Sequence, residues 1–123
     1  MEADFTLTSE ICDDVLVLHT SGYVNNVGGE KIAREFNKHF EQGLKKVVID
    51  LEKSKVVNSI GISFLIEIID QLNDKDGQLI FTNLEPAIDK TLSIMGLFNY
   101  AGKEATVEAA LETLTKKSRL NRG

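Results

Sequence analysis

Residues 47–61 read Val-Val-Ile-Asp-Leu-Glu-Lys-Ser-Lys-Val-Val-Asn-Ser-Ile-Gly. The run from Val47 to Leu51 is apolar but for one acid, the pattern of a strand covered on both faces. A short polar turn and a second apolar pair, Val56-Val57, follow. Asn58 and Ser59 then stand directly before a strongly apolar segment. Both are favoured helix N-caps, because their side-chain oxygens accept the backbone N–H groups that a first turn leaves unpaired. The stretch therefore reads as strand, loop and helix start. It puts the Ser59 hydroxyl near solvent at the positive end of a helix dipole, where a phosphate is tolerated and a partner can read it.

Downstream, Ile62, Leu65, Ile66, Ile69 and Leu72 recur at the 3.6-residue period and predict a helix over 60–72. Ile60, Phe64 and Ile68 form a second stripe, offset by much of a half turn. A helix apolar on two sides is buried on both or offers one to a partner. A polar turn at 73–77 leads to a strand at 78–82. The single proline, Pro86, opens a helix to about Met95, since proline suits the first turn. A short strand is expected near 98–100, then a last helix built on Val107, Ala110, Leu111 and Leu114. Upstream, 5–12 and 15–20 read as a hairpin about Asp13-Asp14. Ile32, Phe36 and Phe40 predict a helix over 30–42, after a loop holding Asn25, Asn26, Gly28 and Gly29. The order is β-β-α-β-α-β-α-β-α. Right-handed crossovers between successive neighbours put every crossover helix on the same face. The expected fold is α/β, an N-terminal hairpin plus βα units in a mixed sheet with helices mainly on one face.

The chain has 123 residues, 42% hydrophobic and 27% charged, with one cysteine. That suits one domain over 1–115 and a basic C-terminal tail over 116–123, expected to fray. A lone cysteine forms no internal disulfide, which points to a reducing cytoplasm. No apolar run reaches membrane-spanning length, so no membrane insertion is expected. The net charge of −5 argues against a nucleic-acid partner. With the tail's four bases set aside, residues 1–115 carry 10 bases against 19 acids, a body suited to a basic partner.

These segments together resemble the STAS domain, the fold of bacterial anti-sigma factor antagonists. That family has a strand ending in Asp, a loop, then Asp-Ser-(Ser/Ala)-Gly opening an apolar helix. Val48-Ile49-Asp50-Leu51 and Asn58-Ser59-Ile60-Gly61 are the counterparts here. Ser21-Gly22-Tyr23-Val24-Asn25 resembles the family's upstream glycine loop, and Gly77-Gln78-Leu79-Ile80-Phe81 its glycine-led strand. Leu92-Ser93-Ile94-Met95-Gly96-Leu97 and Val107-Glu108-Ala109-Ala110-Leu111 resemble two further family elements, so the likeness spans about 5–114. Each motif is weak; five in order are not.

The resemblance implies a non-enzymatic partner switch. An unphosphorylated antagonist docks on a GHKL-type serine kinase that doubles as an anti-sigma factor, and so frees the sigma factor. Phosphorylation of the motif serine, here Ser59, ends the docking, and a PP2C-type phosphatase resets it. Asn25, Asn58, Ser59, Ile60, Gly61 and Phe64 would form the partner-binding surface. Asn25 and Asn58 stand where the family carries acids. The change keeps size and hydrogen bonding but removes charge, so a phosphate meets less repulsion while a kinase that reads an acid loses its cue. Two other readings stay open. One is an unphosphorylated structural STAS subunit of a signalling or lipid-transport complex. The other is a small-ligand or nucleotide sensor with a polar pocket between the Asn25 and Asn58 loops. A homo-oligomer is open too.

The remaining residues have plainer readings. Gly28-Gly29 lacks the surroundings of a phosphate-binding loop and reads as a turn with unusual dihedrals. His19 and His39 have no third ligand at metal spacing, so no metal or cofactor is expected. Ser59 lacks the nucleophile-elbow glycine, since Val57 stands there. Cys12 reads as a buried, inert thiol. Glu30/Arg34 and Lys31/Glu35 are i,i+4 pairs on a solvated helix face.

Overall fold

Five strands lie side by side in chain order, β1 (Thr6–Cys12), β2 (Val15–Ser21), β3 (Lys46–Lys53), β4 (Gln78–Thr82) and β5 (Gly102–Glu104). The computed structural model describes residues 5–122, with side chains described over 5–115. The basic tail expected over 116–123 lies outside the residues whose packing is described. β1 runs antiparallel to β2 through a two-residue turn, with Asp13 left-handed at φ 57, and the other pairings are parallel. Short acidic side chains tolerate that backbone better than most.

Three crossover helices join the parallel strands: α1 (Asn26–Phe40), α2 (Ser59–Asp74) and α3 (Pro86–Ile94). Because each crossover steps the same way along the sheet, all three pack on one face, as handedness demands. There Leu16, Leu18, Val47, Ile49, Leu51, Leu79 and Phe81 meet Ile32, Phe36, Leu65, Ile68 and Leu92 in the main core. α4 (Val107–Arg122) follows the last strand and returns across the opposite face. Its Ala110 and Leu114 cover Val15, Val17, Val48 and Ile80. The inner strands are apolar on both faces for that reason. Among the described residues no helix is long and apolar enough to cross a membrane.

The expected element order holds, with three local differences. α1 begins at Asn26 rather than Glu30, because Asn25 caps it and Gly28 and Gly29 form its first turn. Neither glycine has a left-handed backbone. They serve close approach instead: a Cβ at Gly28 would lie 2.7 Å from the Tyr23 carbonyl oxygen, and one at Gly29 2.6 Å from the Phe64 ring. On α2, Ile68 is buried while Ile66 is exposed, so the buried arc runs through Gly61, Ile62, Leu65, Ile68, Ile69 and Leu72. Residues 97–99 form a 3-10 turn rather than a strand, and β5 starts at Gly102. That turn buries Leu97 and sets Phe98 edge-on to Phe81, with ring centroids 6.1 Å apart.

Phe81 thus joins the central sheet to the α3–β5 connection. Phe81→Ala is expected to lower unfolding free energy by about 3–5 kcal/mol in chemical denaturation. Ile94→Ala, at a side chain 75% exposed, should stay within about 0.5 kcal/mol of wild type.

Candidate functional site

Beyond the bulge in the β2–β3 pairing, the chain after β2 and the chain after β3 zip together at the C-terminal edge of the parallel strands. Gly22 N–H donates to Lys53 O, Val24 N–H to Val56 O and Asn58 N–H to Val24 O, all within 3.1 Å. Val24 and Val57 form a parallel bridge. This brings the first turns of α1 and α2 together, and with them the sequence-predicted residues Asn25, Asn58, Ser59, Ile60 and Gly61.

Both asparagines are N-caps. Asn25 Oδ1 accepts from Val27 N–H and Gly28 N–H at 3.0 Å, and Asn58 Oδ1 from Gly61 N–H at 2.8 Å. Ser59 is the first helical residue of α2 and is exposed. Its hydroxyl is therefore not the cap; Asn58 has taken that task. Neither α1 nor α2 carries an acid in its first turn, so the partial positive charge of each helix start is left without a neighbouring carboxylate on its own helix. Gly61 is buried against the Val24 backbone, which lets the two helix starts approach.

Ile60 is 51% exposed, whereas Phe64 is half-buried with its ring over Gly29. Three exposed apolar residues not singled out in the sequence join Ile60 at this end: Tyr23, Val27 and Val56. Tyr23 and Val56 flank the Val24–Val57 bridge, and Val27 lies in the first turn of α1. The sequence signal for Tyr23 and Val27 was the apolar residues interleaved in Gly-Tyr-Val-Asn-Asn-Val, within a stretch that reads as a polar loop. The result is an exposed serine among isolated apolar side chains and two capped helix starts.

A second polar cluster lies beside α4 on the opposite sheet face. Asp50, near the end of β3, is buried. Its carboxylate accepts from Asn83 Nδ2 at 2.8 Å, Glu52 N–H at 3.2 Å and Thr82 Oγ1 at 3.3 Å, and it touches His19 Nδ1 at 2.8 Å. Burial pushes the Asp50 carboxyl up, but the Asn83, His19 and Glu52 hydrogen bonds outweigh it and hold it below the ordinary 3.8. Thr20 Oγ1 donates to Asp50 O and pairs with the buried Ser54 hydroxyl at 2.7 Å. These residues fill the place where β2–β3 register slips between His19 and Ser21, just before the zipped segments. His19 and Asp50 help line a groove of about 810 Å³. Asp50 was legible as a strand-ending acid; its pairing with His19, thirty-one residues away, was not.

Elsewhere the plain readings are refined. Glu30 and Arg34 pair at 3.4 Å, but Lys31 reaches Phe5 O, and Glu35 takes Ser9 Oγ at 2.7 Å and His39 at 3.1 Å instead. The Ser9 bond is the main reason the Glu35 carboxyl lies below its usual range, against the upward push of burial. Cys12 is half-buried rather than sealed. Burial and the Glu10 and Asp13 carboxylates push its thiol up, which favours the unreactive form.

Comparison with known proteins gives this geometry a context. Residues 6–112 match the family model of the STAS domain. BtrV of Bordetella bronchiseptica, a candidate anti-sigma factor antagonist, is 26% identical over 110 residues, covering 87% of this chain and 95% of that protein. The crystal structure of an anti-sigma factor antagonist from Mycobacterium paratuberculosis superposes with a TM-score of 0.80 at 22% identity, covering 92% and 97% of the two chains. SpoIIAA, a Bacillus cell fate determinant solved in its phosphorylated form, gives 0.71 at 20% identity over 90% and 99%. At these identities the two structures establish a shared fold.

The contact of Gly61 with Val24 is open to test. A Cβ there would collide with the Val24 carbonyl oxygen and lie 2.8 Å from its carbon. The helix-propensity gain of alanine, about 1 kcal/mol, is then outweighed by forced displacement of backbone. Gly61→Ala is expected to destabilise by about 1–3 kcal/mol in urea unfolding; a wild-type midpoint would mean that α2 does not rest on Val24.

Proposed function

The chain belongs to the STAS-domain family, and on that premise we propose that it is a partner-switching regulator of the anti-sigma factor antagonist type, with Ser59 as the switch. The observation that carries this reading is the exposed hydroxyl at the first position of α2, set among Tyr23, Val27, Val56 and Ile60. The partner is a GHKL-type serine kinase that also holds a sigma factor, and a PP2C-type phosphatase restores the free serine. Support comes from the names borne by BtrV and by the Mycobacterium paratuberculosis relative, and from SpoIIAA having been solved phosphorylated.

The physics of the switch follows from the site. A phosphoserine adds a charge of about −1.5 to −2. Its own fold accepts that charge, since it stands at a helix start and both nearby caps are neutral amides. The partner does not accept it. Docking would bury the phosphate against apolar side chains, and removing that charge from water opposes binding. Asn25, Asn58, Gly61 and Phe64 contribute by shaping the surface, the first two as caps and the last two by letting α1 and α2 pack closely.

A second reading, a structural STAS subunit that is never phosphorylated, is favoured by the two asparagines in place of family acids. The readings separate cleanly. Incubation with the cognate kinase and ATP should add one phosphoryl mass, absent in Ser59→Ala; no mass shift selects the structural subunit. By calorimetry, Ser59→Ala should keep its affinity for the unloaded kinase, and Ser59→Asp should lose about tenfold or more, roughly 1.4 kcal/mol. Equal affinities would overturn the switch.

A further inference from the structure

His19 stands between two carboxylates on the face of the sheet that α4 covers only in part. Its Nδ1 is 2.8 Å from Asp50 Oδ2, and its Nε2 is 2.8 Å from Glu10 Oε2. An ionised carboxylate only accepts hydrogen bonds, and a neutral imidazole carries one N–H. Both contacts therefore require an imidazolium. Glu10 does not face His19 directly; Thr8 does, and Glu10 reaches diagonally from its place opposite Val17. The three side chains thus cross three strands: β1 at the sheet edge, β2 and β3.

We propose that Glu10, His19 and Asp50 form a proton-operated latch that fastens the edge strand β1 to the centre of the sheet while position 19 is an imidazolium. The same groove is lined by two further acids, Glu52 on β3 and Glu108 on α4, by one base, Lys53, and by the Cys12 thiol. On losing its proton, His19 keeps a single N–H. That N–H stays with Asp50, which is buried and held from three other sides, and Glu10, which is exposed, is released. The latch adjoins the register slip at Thr20, whose hydroxyl joins Asp50 O to Ser54, so its release is felt at the start of the loop that leads to Ser59. The device stands whether or not Ser59 is phosphorylated.

The direction of the pH effect follows. Burial pushes the His19 imidazole down, but hydrogen bonds to Glu10 and Asp50, and their charges, raise it above the ordinary 6.5. A raised group contributes stability in full below 6.5 and loses it as pH rises through the folded value. Asp50, held below 3.8, contributes above that value and loses its contribution as pH falls through its lower folded value.

The test uses the full chain, wild type, Glu10→Gln and His19→Gln. Each is melted at pH values from about 5.5 to about 9, with NMR titration of the imidazoles and backbone amides. The expected wild-type midpoint falls as pH rises, and that fall flattens in His19→Gln. Glu10→Gln, which changes an exposed side chain and so keeps the fold, should move the His19 titration to lower pH. The Thr20 and Ser54 amide shifts should follow the imidazole in wild type. A His19 that titrates at or below the ordinary value, or one unmoved by Glu10→Gln, would overturn the latch. So would an equal fall of melting midpoint in His19→Gln.

Discussion

The backbone of Val24 is where this molecule is fixed. Its N–H and carbonyl are both committed to the segment that follows β3, through Val56 and Asn58. The first turn of α2 lies directly on it, because Gly61 has no side chain to intervene. Move that contact and α1 and α2 lose their common origin. The two caps, the exposed serine and the surrounding apolar residues would then cease to be one surface. A fully buried Val24 adds apolar area to the same point, so hydrogen bonding and burial act together there.

The two faces of the sheet have been given different work. The face under α1, α2 and α3 is closed by aliphatic and aromatic side chains, with Gly29 and Phe64 letting the first two helices pack near one another. The other face has a single helix, whose cover extends over Val15, Val17, Val48 and Ile80. Where α4 does not reach, the strands present Thr8, Glu10, His19 and Asp50 instead. A polar cluster is tolerated there because its members satisfy one another and water reaches the outer ones. Among the described residues no buried side-chain polar atom lacks a partner.

Much of this was legible in the chain, and the misses have physical causes. Val47–Leu51 and the caps at 58–59 identify the strand, loop and helix without tertiary information, since periodicity and capping are local. The start of α1 was hidden because Gly28 and Gly29 resemble turn residues; the Asn25 cap makes them helical, and what leaves no room for a Cβ there is a neighbour, the Phe64 ring and Tyr23 carbonyl, that no local pattern announces. The exchange of Ile66 for Ile68 in the buried arc reflects a rotation of α2 set by what it packs on. The 3-10 turn at 97–99 arises because Leu97 is drawn under the sheet and Phe98 against Phe81. For the site, the position of Ser59 was readable and its apolar surroundings were not, since Tyr23 and Val56 come together only through the parallel bridge. The Glu10–His19–Asp50 chain was invisible for the same reason: it depends on strand register.

Strand order that repeats chain order has one more result. Each new strand finds its partner in the strand made just before it, so after the tight first hairpin the crossovers to be closed are modest and alike, and loop-closure entropy is met in small steps. A nascent chain can therefore extend the sheet one unit at a time as synthesis proceeds. No later segment has to be inserted between strands that have already joined.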